Sequence, residues 1–368
     1  MSSEEDLCTI LESKCKAHVY SCEYRSFTDT YEALIDFKDS EHQFIECYKI
    51  LSRANIAIIT QPHPLGIKIY AQKIKLRRVK SYNIIALVLF VATLASVFWT
   101  GMLMAQNNLE LLRDLGLDVG KYSQYLWATT YAVSIMGILG LHEIGHIIAS
   151  SRCIGTWNPP MFIPAPGFGL GTFGAIVTSR FRPSTPTCLA LLGISGPALG
   201  FLASMVVLII GSMTSIYVSP ELVPPEEALR SIPLAALISW LIVSGAEGKV
   251  MIPNAAAFAG VIMLYIHFLN LLPIGQLDGG HVVTSVLGPR FSKYVSLATM
   301  IAILIYAALY PVDLILIAAM FTLLAFILTG LRPHPGPACS LYESRSKRAL
   351  IFIIYTLILS LSTPIPSI

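Results

Sequence analysis

The sequence predicts an all-α polytopic membrane protein, with a core of about six spans and one further C-terminal span, carrying a small α+β soluble domain at its N-terminus. Three observations predict it. Hydrophobic residues make up 55% of the 368 positions and charged residues only 13%, with a mean hydropathy of +0.68. That balance belongs to multi-span membrane chains rather than to a globular domain with one anchor. Apolar runs of spanning length recur from Tyr82 onward, whereas the first 75 or so residues are dense in charge. Within one apolar run stands His142-Glu143-Ile144-Gly145-His146, three ionisable residues in five. The formal net charge of +3 is too small to point to nucleic acid.

In the charged N-terminal region, Glu41 to Arg53 has helical spacing, with Phe44, Tyr48 and Leu51 on one side. Residues 19–24 and 31–37 read as one strand pair, and 55–60 and 65–71 as another around the turn Gln61-Pro62-His63-Pro64. The acidic start, Met1 to Asp6, lacks the basic-then-apolar pattern of a signal peptide. The seven cysteines form no CxxC pair. Cys8, Cys15 and Cys22 recur every seven residues, which reads as a shared helix stripe, with no disulfide framework implied.

A basic run, Lys68 to Lys80, precedes the first span at 82–105. Further candidate spans fall near 122–150, 187–212, 256–286, 294–310, 312–330 and 348–363, judged against the roughly 20 apolar residues a crossing helix needs. The apolar stretch 233–244 is too short to cross and reads as re-entrant or interfacial. Arg152, Arg180, Arg182, Arg290, Lys293, Arg332, Arg345, Lys347 and Arg348 fall in alternate loops. By the positive-inside rule this puts the N-terminus in the cytoplasm and the HExxH sequence near the cytoplasmic end of its span.

Residues four apart share one helix face. His142 and His146 can therefore hold one metal ion, with Glu143 beside them as a general base toward a metal-acidified water. The bland alternative is a histidine pair hydrogen-bonded to neighbouring helices. Charge at membrane depth costs about 2.5–3.5 kcal/mol per residue on insertion scales, which favours the metal. A catalytic zinc takes three protein ligands, and no third histidine follows closely after His146. Asp278 is the lone carboxylate between Glu247 and Asp313, in Asn270-Leu-Leu-Pro273-Ile-Gly-Gln-Leu-Asp278-Gly279-Gly280-His281. It is the third-ligand candidate; as Asp before Gly it also reads as ordinary turn or cap chemistry. His281 and His267 are the next candidates.

The HEIGH sequence in one span, paired with Asn270, Pro273, Asp278 and Gly279 in a later one, resembles the site-2 protease family of intramembrane zinc metalloproteases, over about residues 80–330. The resemblance implies one Zn2+ per chain held by His142, His146 and Asp278, with Glu143 catalytic. Residues 159–174 carry Pro159, Pro160, Pro164 and Pro166, then Gly167, Gly169, Gly171 and Gly174, and run into Thr172-Phe173-Gly174-Ala175-Ile176. This segment is similar to the branch with chloroplast and cyanobacterial members, and the family implies a membrane-embedded β-hairpin there. Asn270, Gly171, Thr172, Phe173 and Gly174 are then the expected substrate-binding residues. Gly196-xxx-Gly200 reads as a close helix-packing stripe. The stretch 213–255 is too short for a PDZ-like insertion, unlike the bacterial periplasmic-signalling branch.

The resulting division is a soluble α+β domain (1–78), an intramembrane metalloprotease core (79–332), and a cytoplasmic linker with an additional span (333–368). The expected activity is hydrolysis of peptide bonds within transmembrane segments of single-span proteins, in the bilayer of a cell membrane and with no nucleic-acid partner. Two alternatives remain at this point: a zinc protease of the prenyl-protein-processing type, and a non-proteolytic metal-binding scaffold or transporter. The intact Glu143 weighs against a dead scaffold, and no internal repeat suggests a transporter.

Overall fold

The computed structural model describes residues 7–27, 29–37, 41–74, 82–117, 123–167, 170–177, 179–223, 231–244, 248–309 and 334–366. The expected span at 312–330, the basic residues 75–80 and Gly169 lie outside them.

At the N-terminus, a short helix α1 (Leu7–Thr9) runs into a π turn (Ile10–Lys14). Strands β1 (His18–Arg25), β2 (Thr30–Asp36), β3 (Ile56–His63) and β4 (Gly66–Lys73) form one antiparallel sheet in the order β1-β2-β4-β3. Period-2 alternation sets its faces: Ile67, Ile69 and Ala71 of β4 are buried, while Lys68 between them pairs with Glu32. Helix α2 (Glu41–Arg53) contributes Phe44, Cys47, Tyr48 and Leu51 to the same core, as its spacing predicts. The expected turn at Gln61 to Pro64 comes later, because β3 pairs through Pro62 and His63 to Gly66.

The cysteine reading needs correction. Cys8–Cys22, Cys15–Cys47 and Cys153–Cys188 are disulfides, separated by 14, 32 and 35 residues. Spacing by seven misleads here because Cys8 lies in α1, Cys15 just past the π turn and Cys22 on β1, so no single helix carries all three. In the chain-entropy view, closures of this length each contribute about 2–4 kcal/mol.

Three described helices are long and apolar enough to cross a membrane: α3 (Tyr82–Asp114), α4 (Gln124–Cys153) and α5 (Pro186–Met213). Ile84, Leu87, Val88 and Val91 of α3 are exposed, an apolar outer face suited to lipid. Shorter or broken helices complete the core: α6 (Leu234–Ser244), α7 (Ala255–Leu271), α8 (Asp278–Leu309) and α9 (Arg345–Ser362). Thr185 caps α5 by accepting from the Cys188 N–H, with Pro186 next in line. Asn254 caps α7 through Ala256 and Ala257. Helix α5 is central and packs on α4, α7 and α8.

The expected continuous span 256–286 is not one helix. Helix α7 stops at Leu271, residues 272–277 are irregular, and α8 begins at Asp278. Pro273 lacks the N–H that would continue the helix. The freed Leu271 carbonyl accepts from the Tyr355 hydroxyl of α9 at 2.9 Å. Helix α8 is itself broken at Gly288, with φ +78° ahead of Pro289.

Strands β5 (Met161–Pro164) and β6 (Thr172–Ile176) form an antiparallel hairpin. It rests on α3, with Phe162 edge-on to Phe90 at 5.4 Å. Elsewhere β7 (Ile216–Val218) pairs with β9 (Val250–Ile252), and β8 (Ser231–Pro233) with β10 (Pro364–Pro366).

The N-terminal sheet and helix share a core with Cys153, Ile154, Phe181, Cys188 and Cys339. Ser52 donates to the Ile154 carbonyl, Tyr48 to that of Arg182 at 2.8 Å, and Thr60 to that of Ala338 at 2.8 Å. Tyr342 accepts from the Phe37 N–H and donates to Asp36. Burial, with Asp36 adding to it, pushes its phenol up to about 12, so it stays a donor.

Candidate metal centre

Helical period brings His142 and His146 onto one face of α4, and α5 fixes how His146 points. His146 Nδ1 donates to the Leu192 carbonyl at 3.0 Å, which leaves its Nε2 as a lone-pair acceptor. That atom lies 3.1 Å from His142 Nε2. Asp278 completes a triangle, Oδ2 at 3.4 Å from His142 Nε2 and Oδ1 at 3.4 Å from His146 Nε2. Both oxygens therefore face the imidazoles, which favours the ligand reading of Asp278 over the cap.

This triangle fits zinc. Bonds of 2.0–2.2 Å in tetrahedral geometry separate neighbouring donor atoms by about 3.3–3.5 Å; the two imidazole nitrogens here are 3.1 Å apart, and each has a different oxygen of the Asp278 carboxylate at 3.4 Å. Among the described residues this is the one group of three or more such side chains close enough to share an ion. Lone pairs converging in a buried site repel one another unless a cation sits among them. Glu143, the next residue on α4, is also buried and lies within electrostatic reach of all three.

Glycines on α5 let the parts converge. A Cβ on Gly196 would stand 2.7 Å from His146 Cδ2 and Cε1. One on Gly193 would meet the Asp278 carbonyl at 2.5 Å and His281 Cβ at 2.8 Å. On the facing helix, a Cβ at Gly145 would stand 2.6 Å from the Ser195 carbonyl carbon. The expected Gly196-xxx-Gly200 packing stripe is thus the floor of the site. After Asp278, Gly279 lies against the Leu271 and Leu272 carbonyls, and Gly280 against those of Ile274 and Gly275. Side chains there would push the start of α8 off the end of α7.

The expected substrate-binding residues are placed less uniformly. Gly171, at φ +83°, packs on α3 where a Cβ would meet Val97 Cα at 2.6 Å, and its carbonyl accepts from Ser96 at 2.7 Å. Thr172 donates to the Ile163 carbonyl and accepts from the Gly174 N–H, so its hydroxyl serves the hairpin. Phe173 is exposed, and Gly174, at φ +93°, has open space where a side chain would lie. Asn270 is half-buried in the last turn of α7. His281 Nδ1 donates to the Leu277 carbonyl just ahead of α8, and the ring stands edge-on to His334 at 4.7 Å. Sequence reasoning missed Leu192, which acts through its backbone carbonyl and so carries no side-chain signal.

The membrane-helix core brings together a His-His-Asp triangle and an adjacent buried glutamate, the side chains of a candidate metal centre. Residues 130–309, just under half of the chain, match peptidase family M50, the family of the site-2 proteases. It is similar to the "probable zinc metalloprotease EGY2, chloroplastic" of Arabidopsis thaliana, 25% identical over 62% of this chain and 39% of the relative. The corresponding EGY1 protein of Arabidopsis thaliana is 27% identical over 56% of this chain and 40% of the relative. That called EGY3 in Oryza sativa subsp. indica is 25% identical over 46% and 31%. The chain thus spans about two fifths or less of the length of these relatives. No solved structure gives a significant match.

Proposed function

We propose that this chain is an intramembrane zinc metalloprotease that hydrolyses peptide bonds within transmembrane segments of single-span proteins. The observation that carries the reading is the convergence of His142 Nε2, His146 Nε2 and an Asp278 carboxylate beside buried Glu143, on a helix of membrane-crossing length. His142, His146 and Asp278 would hold the ion. Zinc, when bound, supplies a Lewis acid toward the scissile carbonyl and acidifies a water at neutral pH. Glu143 takes a proton from the attacking water on its carboxylate and delivers it to the leaving amide nitrogen. A helical substrate hides its carbonyls in hydrogen bonds, so it must unwind first. In this reading the β5–β6 hairpin lies at membrane depth and β6 pairs with the unwound strand through its backbone. Phe173 and Gly174 border that strand, and the Asn270 side chain holds a substrate carbonyl. Residues 1–78 recruit or gate the substrate rather than doing chemistry, since every proposed catalytic group lies beyond them.

The test is cleavage of a panel of single-span membrane proteins by the purified full chain in detergent. Cleavage within the apolar segment, lost on chelation and restored by Zn2+, is expected. A chain that binds zinc and cleaves none of the panel, even with helix-breaking residues in the targets, would leave a metal-binding scaffold as the better account.

The charge distribution supports a multi-pass topology with the N-terminus in the cytoplasm. The disulfides favour a second reading for orientation, because such bonds persist mainly in oxidising compartments, intracellular proteins of hyperthermophiles excepted. Impermeant labelling of a cysteine introduced at the exposed Phe27 separates the two. The cytoplasmic reading expects labelling only after the cells are opened, and labelling of intact cells overturns it.

A further inference from the structure

The two histidines of the triangle are held in different ways. His146 donates its Nδ1–H to the Leu192 carbonyl, the usual arrangement for a metal-ligating imidazole, whose second nitrogen fixes the ring. His142 Nδ1 is buried and has no hydrogen-bond partner. What lies against the His142 ring is His267 of α7. The two imidazoles are parallel to within 4°, with centroids 5.3 Å apart, inside the range of stacked rings.

His267 is fully buried, and neither of its ring nitrogens makes a well-formed hydrogen bond. Its polar surroundings are the Gly200 carbonyl, His142 and Asp278. Gly200 makes the room: a Cβ there would stand 2.5 Å from His267 Nε2 and 3.2 Å from His142 Cβ. The His267 ring is therefore wedged between α5 and the His142 ring. Burying an imidazole without firm hydrogen-bond partners is costly, so an ordinary packing position would favour an apolar side chain.

We propose that His267 is a positioning residue for the metal centre: its ring, laid flat on His142 and backed by Gly200, fixes the plane of the His142 imidazole where no hydrogen bond does so. The proposal rests on the reading of His142, His146 and Asp278 as the zinc site. It makes His267 neither a ligand nor a proton carrier. It also gives the Gly196 and Gly200 pair distinct tasks, one admitting the ligand His146 and the other admitting the ring that steadies His142.

The test is a competition titration of Zn2+ against a chromophoric chelator on the full-length protein in detergent, with the visible spectrum of the Co2+-loaded protein as a second readout. Losing an outer-shell partner typically costs about 10–100-fold in metal affinity, and a loss of that size is expected for His267→Ala. His267→Phe, which keeps a flat ring, should stay within about threefold of wild type if ring plane is what matters. The Co2+ bands should shift in the alanine variant and not in the phenylalanine variant. Gly200→Ala, whose methyl would meet the His267 ring first and only the Cβ of His142, leaving the His142 ring nitrogens clear, should weaken zinc as well, and it decides the matter if His267→Ala does not fold. Wild-type affinity and spectrum in a folded His267→Ala or in Gly200→Ala would overturn the proposal, as would a phenylalanine variant as weak as alanine. His146→Ala is the control for the reading beneath it: retention of metal there means the site itself is misassigned, a failure distinct from that of His267.

Discussion

Glu143→Gln is expected to retain one zinc per chain and to lose hydrolysis by at least the 10²–10⁴-fold typical of a general acid–base group. The substitution keeps the shape of the side chain and removes its ability to take a proton. Glu143 is buried on the helix that carries both histidines, yet it is not part of the donor triangle, whose three edges run among His142, His146 and Asp278. Metal content and turnover should therefore separate in this variant. Metal analysis beside a cleavage assay on the same preparation checks it. Near-normal turnover would point to a different base, and loss of zinc would make Glu143 a ligand.

The ligand substitutions should behave in the opposite way, losing metal and turnover together. His142→Ala and His146→Ala each remove one corner of a three-point site and are expected to leave the protein without stoichiometric zinc. Asp278→Asn keeps the volume of the side chain but replaces a carboxylate by an amide, a far poorer zinc ligand. Its expected effect on affinity is also large, because the carboxylate is the one negative charge among the three donors. Dialysis against a known free-zinc buffer followed by metal analysis reads all three. Wild-type zinc in both histidine variants would contradict the assignment.

Much of this was legible in the sequence, for reasons particular to each element. The 3.6-residue period places His142 and His146 together, just as it places Phe44, Tyr48 and Leu51 of α2 in one core. Asp278 stands out because a carboxylate in an apolar stretch needs a partner. How it reaches the histidines was not legible. A continuous span from 256 to 286 would have set Asp278 in mid-helix, whereas the break after Leu271 presents it at the first turn of a new helix. Hydropathy reads both arrangements alike; Pro273 shows that the helix loosens ahead of Asp278, but where the new helix starts is set by the packing of Gly279 and Gly280 against the carbonyls of 271–275. The disulfides were misread for a related reason: pairing of Cys15 with Cys47 and of Cys153 with Cys188 depends on which elements meet. His267 offered a histidine on a span and no indication of its neighbour. Stacking on His142 is a property of the α4, α5 and α7 packing, to which the spacing of residues within α7 is blind.

Anomalous scattering at the zinc edge from crystals of the full-length protein tests the central claim most directly. The account predicts one anomalous peak per chain inside the triangle, bonded to His142 Nε2, His146 Nε2 and an Asp278 carboxylate oxygen at about 2.0–2.2 Å. A zinc peak elsewhere, or one with the Asp278 carboxylate more than about 5 Å away, far beyond any Zn–O bond, would contradict it.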